Sequence, residues 1–168
     1  MQTITTYILK TLATLVCVNV FCITTQAAIS SRYIDMAITR EVILLSRNYE
    51  FIYFYSGDCQ HCLSFNPVLK RYASKSGIAV KAFMFGDKTV AYFAESVPVE
   101  RVIVEQYFGK EASLAVPALF ILNKDNYHVY PVSKGSLSYS ELTARMNVLA
   151  PKIIRNEMHV NNRRYTRR

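Results

Sequence analysis

The run Glu50-Phe51-Ile52-Tyr53-Phe54-Tyr55-Ser56, followed by Gly57-Asp58 and then Cys59-Gln60-His61-Cys62, constrains this chain more than any other stretch. A run built mostly from aromatic and β-branched residues, without polar alternation, reads as a strand covered on both faces. Gly57-Asp58 breaks it, and Cys59 to Ser74 then turns helical through Leu63, Phe65, Val68, Leu69 and Tyr72. Two cysteines two residues apart therefore stand where a buried strand hands over to a helix.

That placement points to thiol chemistry. Disulfide exchange needs one accessible thiolate to attack and a second thiol close by to resolve the mixed disulfide. At a helix start the first cysteine meets unpaired backbone N–H groups and the positive end of the helix dipole, both of which favour the thiolate. Cys62 falls one turn into the helix, within reach of Cys59 yet shielded. Cys59 is the expected nucleophile and Cys62 the resolver, with Gln60 and His61 as the dipeptide between them. Three other uses fit less well. Zinc wants four ligands, and once residues 1–28 are set aside as a signal, this pair is joined only by His61, His128 and His159. Covalent haem needs a histidine directly after the second cysteine, where Leu63 stands. A purely structural disulfide across so short a loop adds little chain-entropy stabilisation.

Elsewhere the apolar spacing predicts helix over Ser31 to Asn48, strand over Ile78 to Phe85 and helix over Val97 to Phe108, with Pro98 near its start. Strands at Val116 to Leu122 and Tyr127 to Val132 are joined by the polar turn Asn123-Lys124-Asp125-Asn126. Ser138-Tyr139-Ser140-Glu141 fits a capping box ahead of a last helix through Leu142, Met146 and Leu149. The order α-β-α-β-α-β-β-α argues a mixed sheet with helices on both faces. With 168 residues, 51% of them hydrophobic, the chain suits one ordinary domain with a proper core and not a disordered one.

The first 28 residues read as an export signal: Lys10, the 13-residue apolar run Thr11 to Ile23, then Thr25-Gln26-Ala27-Ala28 with small residues for cleavage. The run is short for a membrane span, which disfavours an uncleaved anchor. Export would remove Cys17 and Cys22 and leave Cys59 and Cys62 as the cysteines of the mature chain. The expected organisation is a signal peptide at 1–28, one domain at 29–150 and a basic tail at 151–168. Ile29 to Ala150 carries 13 basic and 11 acidic residues, whereas Pro151 to Arg168 carries 6 basic and 1 acidic. Such a tail is either a solvated end or a contact for anionic lipid or an acidic partner. Nucleic acid is not an expected partner, because the folded part is almost neutral.

These residues resemble the thioredoxin superfamily over most of the exported chain. Phe51 to Cys62 looks like that family's first strand and active-site loop, and Pro67 stands where its helix-kinking proline does. Val116-Pro117-Ala118-Leu119-Phe120 resembles the segment in which a cis-proline faces the cysteine pair. The resemblance implies an α/β fold: one thioredoxin-like domain, its mixed central sheet flanked by helices, with an N-terminal helical extension. It also implies a cis Pro117, a Val116 backbone that pairs with a substrate strand, and no metal or cofactor beyond a redox-active Cys59–Cys62 disulfide. Two positions depart from cytoplasmic thioredoxins. Tyr53 stands where they carry a buried aspartate, so a proton-relay role for that position does not carry over. His61 stands where periplasmic oxidases and disulfide isomerases carry histidine, which favours an oxidising or isomerising poise.

A narrower likeness is to the TrbB-type thiol-disulfide isomerases of F-type conjugative transfer systems. It rests on the Phe-Tyr-x-x-x-Cys-x-x-Cys run, Phe65-x-Pro67-Val68-Leu69, the Val-Pro segment with its hairpin, and Ala144-Arg145-Met146 in the last helix. It implies a periplasmic oxidoreductase or isomerase acting on cysteine-containing exported proteins, conjugative pilus or secretion components among them, and reset by a membrane redox partner. A non-catalytic docking component of a secretion apparatus and a periplasmic thioredoxin-like reductant are the alternatives.

Overall fold

Strand β1, Tyr49–Ser56, runs through the middle of the sheet and is buried over nearly its whole length. The computed structural model describes residues 38–109 and 115–165, with side chains through residue 160. The expected signal at 1–28, residues 31–37 of the expected first helix, and the last three residues of the basic tail lie outside the described residues.

The lack of polar alternation in β1 has a direct cause: both faces are covered. Tyr49, Phe51, Tyr53 and Tyr55 point into one core, which α1 (Arg40–Leu45), α2 (Gln60–Ser76) and α4 (Tyr139–Tyr165) supply through Val42, Leu69, Met146 and their neighbours. Ile52 and Phe54 point into a second, smaller core with Phe83, Ala118, Phe120 and Leu122. Its outer cover is α3, Arg101–Phe108, whose Ile103, Tyr107 and Phe108 are only partly buried.

Five strands pair in the order β3-β2-β1-β4-β5. β2 (Ala79–Phe85) lies parallel to β1, reached through α2, and β3 (Val97–Pro98) lies parallel to β2. β4 (Ala118–Asn123) and β5 (Val129–Lys134) add as an antiparallel hairpin on the other side of β1. The mixed sheet with helices on both faces is the one the element order argues, and it is the thioredoxin-like arrangement that the family resemblance implies. α2 ends at Gly77, whose φ of 74° takes the left-handed conformation while its N–H bonds the Ala73 carbonyl at 2.9 Å.

Several boundaries differ from those expected. Val97-Pro98 does not open a helix; it pairs with Phe83-Met84 as an edge strand, and α3 starts at Arg101. Proline is tolerated at such an edge, and the next donor, Val99 N–H, reaches the Met84 carbonyl at 2.9 Å. β4 begins at Ala118; Pro117, which the cis Val116–Pro117 bond precedes, has no N–H to give the ladder, though its carbonyl accepts the Gly135 N–H at 2.7 Å. β5 begins at Val129: Asn123 and Asn126 side chains accept the Asp125 and His128 backbone N–H groups, and Tyr127 sits at a φ of 61°, so the turn extends through His128.

The largest correction is at the end of the chain. The expected capping box forms, with Glu141 accepting from the Ser138 backbone N–H at 2.8 Å, but the helix does not fade at Pro151. It continues to Tyr165, and Met146, Ala150, Ile153 and Glu157 form one buried stripe across the proline. Residues 151–160 are therefore part of the domain and not a tail. Thr39 N–H, at the start of α1, donates to Asn147 Oδ1 of the same helix at 3.1 Å.

Candidate active site

Because β4 runs antiparallel to β1 with Ala118 opposite Phe54, the residues just before β4 lie beside the turn that leaves β1. The topology thus brings Val116-Pro117 to the Cys59-Gln60-His61-Cys62 segment, with Val116 57 residues from Cys59 in the chain. The Cys59 thiol lies 3.7 Å from the Val116 carbonyl oxygen, toward which it donates. The Val116–Pro117 bond is cis.

The turn itself is tightly built. Gly57 is buried, and a Cβ there would fall on the Lys88 carbonyl oxygen and side chain. Asp58 accepts from Lys88 Nζ at 2.6 Å, an exposed pair that closes the outer side of the turn. Cys59 N–H bonds the Ser56 carbonyl at 3.2 Å, and Cys59 then serves as the N-cap of α2. Its sulfur accepts the Cys62 backbone N–H at 3.2 Å, the bond an N-cap side chain makes to the first helical turn. A sulfur in that position faces the positive end of a 17-residue helix.

The two sulfurs have unlike surroundings. Cys59 is half-buried; Cys62 is sealed in the main core with Phe65 and Tyr53. Burial first, and then the hydrogen bond with Cys59, push the Cys62 thiol up to about 12. Chemically this is an accessible sulfur with a donor aimed at it, backed by a reserve thiol that stays protonated until it is needed. Gln60 and His61 are exposed, and the His61 ring makes no hydrogen bond to Cys59 among the described residues.

One feature beneath the cysteines escaped the sequence reading. The Tyr53 hydroxyl donates to Asn66 Oδ1 at 2.8 Å, and both side chains are fully buried. Asn66 stands four residues after Cys62, on the inward face of α2, and a lone amide in an otherwise apolar helical stripe was the available signal. A second polar cluster, around Glu157 at the opposite end of the sheet, was also missed; its members come from β5, the preceding turn and α4.

Comparison with known proteins follows the same lines. A family model described as TraF, F plasmid transfer operon protein, matches residues 22–147. Protein TrbB of Escherichia coli (strain K12) is 25% identical over 102 residues, which span 61% of this chain and 56% of that protein's own length. Among solved structures, a thiol:disulfide interchange protein of the thioredoxin family from Chlorobium tepidum TLS aligns with a TM-score of 0.45 at 14% identity, over 64% of this chain and 83% of that one. StoA from Bacillus subtilis aligns with a TM-score of 0.41 at 13% identity, over 58% and 81% of the two chains.

Proposed function

The chain belongs to the TraF family of F plasmid transfer operon proteins, and on that footing we propose that it is an exported thiol-disulfide oxidoreductase, working as an isomerase on cysteine-containing proteins of a transfer or secretion apparatus. The observation that carries this reading is the asymmetry of the cysteine pair. Cys59 is half-buried with Cys62 N–H and the Val116 backbone against its sulfur, and Cys62 waits sealed behind it.

In this mechanism the Cys59 thiolate attacks one sulfur of a substrate disulfide. The substrate's S–S bond breaks, a Cys59–substrate disulfide forms, and the other substrate sulfur leaves as a thiolate that takes up a proton. An extended substrate segment lies along the Val116 backbone beside Pro117, which aligns its sulfur with Cys59. In isomerisation a second substrate thiolate then displaces Cys59. In net reduction Cys62 does so instead, and the protein is left with a Cys59–Cys62 disulfide that a membrane redox partner resets. Within each exchange, Cys59 and Cys62 carry the electrons themselves. Export to the periplasm follows from the leader-like residues 1–28. The basic residues beyond Pro151 suit contact with anionic lipid or an acidic partner, and deletion of residues 161–168 is expected to leave exchange on small disulfides intact.

The test is a trap. Cys62→Ala leaves Cys59 able to attack but unable to let go by internal resolution, so in its own host the variant accumulates covalent adducts that collapse on adding reductant. Exported, cysteine-bearing components of a transfer apparatus among the adducts support the reading. Adducts confined to the cytoplasm overturn the export, and a wild-type protein that fails to refold a scrambled-disulfide substrate overturns the isomerase assignment. A potential near the thioredoxin value of about −270 mV would instead make the protein a reductant.

A further inference from the structure

Asn66 is fully buried in α2, and its side chain is only half satisfied. Oδ1 accepts from the Tyr53 hydroxyl at 2.8 Å, whereas Nδ2, equally buried, has no hydrogen-bond partner among the described residues. Buried amide donors left unpaired are rare and costly, so one in a core asks for a reason. Cys62 stands four residues earlier on the same helix and is equally buried. Residues so spaced share a helix face, with Cβ atoms about 5–6 Å apart, which puts the amide and the sulfur on the same side of α2.

We propose that Asn66, oriented by Tyr53, donates its free amide N–H to the Cys62 sulfur as that thiol loses its proton, so that Asn66 is a catalytic residue of the resolving half-reaction and Tyr53 its positioning residue. The inference rests on the oxidoreductase reading above and concerns a step that reading leaves unexplained. A thiol held as high as Cys62 supplies almost no thiolate at neutral pH, and a donor that bonds the charged form better than the neutral one is what lowers that barrier. A neutral thiol sulfur is a weak acceptor, so Nδ2 has little to gain before ionisation and much afterwards. Tyr53 does not compete for the proton. Burial, and then the two cysteines, push its own ionisation far up, so it stays a donor and keeps the amide turned with Oδ1 toward itself.

The step balances without a further reactant. Cys62 gives up its proton and its sulfur attacks Cys59 Sγ. The Cys59–substrate S–S bond breaks and the Cys59–Cys62 bond forms. The departing substrate thiolate takes the proton, leaving the substrate reduced by two electrons and the protein oxidised by two.

The reduced full-length protein, mixed with an aromatic disulfide such as 5,5′-dithiobis(2-nitrobenzoate), separates the two halves of exchange as two releases of coloured thiol, the first from Cys59 attack and the second from Cys62. Asn66→Ala should slow the second release about tenfold near neutral pH and displace its rate–pH profile upward by about one unit. Tyr53→Phe keeps the ring packing, removes only the hydroxyl, and should give a smaller slowing of about threefold with a displacement in the same direction. The first release should stay within about twofold of wild type in both variants. An unshifted profile in Tyr53→Phe, whether the protein is destabilised or not, would overturn the proposal by assigning the pair to packing. If Asn66→Ala fails to fold, Tyr53→Phe decides alone. A wild-type protein that releases only one equivalent instead defeats the oxidoreductase reading itself.

Discussion

The two ends of β1 carry two buried polar groups of opposite character. At its C-terminal end lie the cysteines, with a thiol pushed up to about 12 and, behind it, an amide donor that has no partner among the described residues. Near its N-terminal end lies Glu157 of α4, a carboxylate that accepts from Tyr130 Oη at 2.7 Å, Asn126 Nδ2 at 2.6 Å and His128 Nδ1 at 2.9 Å. Burial pushes the Glu157 carboxyl up, but those three hydrogen bonds and the neighbouring His128 outweigh it and hold the group below its ordinary value. Tyr49, at the head of β1, is pushed up to about 12 by burial and then by the Glu157 charge. One end has its polar groups answered and clamps the last helix to the β4–β5 hairpin. The other leaves them poised. Satisfied burial goes with holding, and unsatisfied burial with reacting.

The sharpest way to break this contrast is Cys59→Ala, which should reduce disulfide exchange to background in an insulin-reduction or refolding assay. The thermal midpoint should barely move, because the pair spans so short a loop. Glu157→Ala should do the reverse. It strands three donors and should cost about 2–4 kcal/mol in a denaturant titration, while exchange per folded molecule stays at the wild-type rate. Melts that leave the Glu157→Ala protein as stable as wild type would remove the clamp from the comparison.

Acidity separates the ends with opposite sign. A carboxyl whose folded pKa is depressed contributes stability above its unfolded value of about 4.3, and that contribution is lost as pH falls through the folded value. The stability gap between wild type and Glu157→Gln should therefore be full at pH 6 and close on acidification. The Cys62 thiol is raised, so its contribution is present below the unfolded thiol value of about 8.5 and is lost as pH rises toward 12. The gap between the reduced protein and Cys62→Ala should change only on that alkaline side, as read by melts across the two ranges. The smallest effect is expected at Lys88. Its ion pair with Asp58 borders the cysteine turn but is exposed, so Lys88→Ala should leave both the melting midpoint and the exchange rate within experimental scatter.

The reactive end was far more legible in the sequence than the holding end, for a physical reason. Cys59 and Cys62 belong to one turn of chain, so local pattern carries them, and β1 declares its two-sided burial in every residue from Phe51 to Tyr55. Glu157 meets its partners across 27 to 31 residues, through a hairpin and a helix whose mutual docking no local pattern encodes. Pro151 hid the connection further, because a proline reads as a helix stop. Here the stripe Met146, Ala150, Ile153, Glu157 keeps its spacing across the ring, and core contacts outweigh one missing N–H. Val97-Pro98 misled for the related reason that two residues are too few to show alternation. Only the bare edge of β2 made them a strand. Tyr53 was legible as a departure from the thioredoxin pattern, but its partner Asn66 needed the side-chain packing.

Both outermost strands of this sheet contain a proline: Pro98 in β3 and Pro131 in β5. An edge strand with a full row of N–H and C=O groups is a template on which other chains polymerise, and proline withdraws a donor from that row. On the β2 side the strand is also cut to two residues, and the exposed Lys81 stands on the stretch that β3 leaves uncovered. On the β5 side the ladder is irregular between Leu119 and Phe120. Neither margin is a good template for self-pairing. Under the proposed function, such margins would keep the protein from co-aggregating with half-folded client chains.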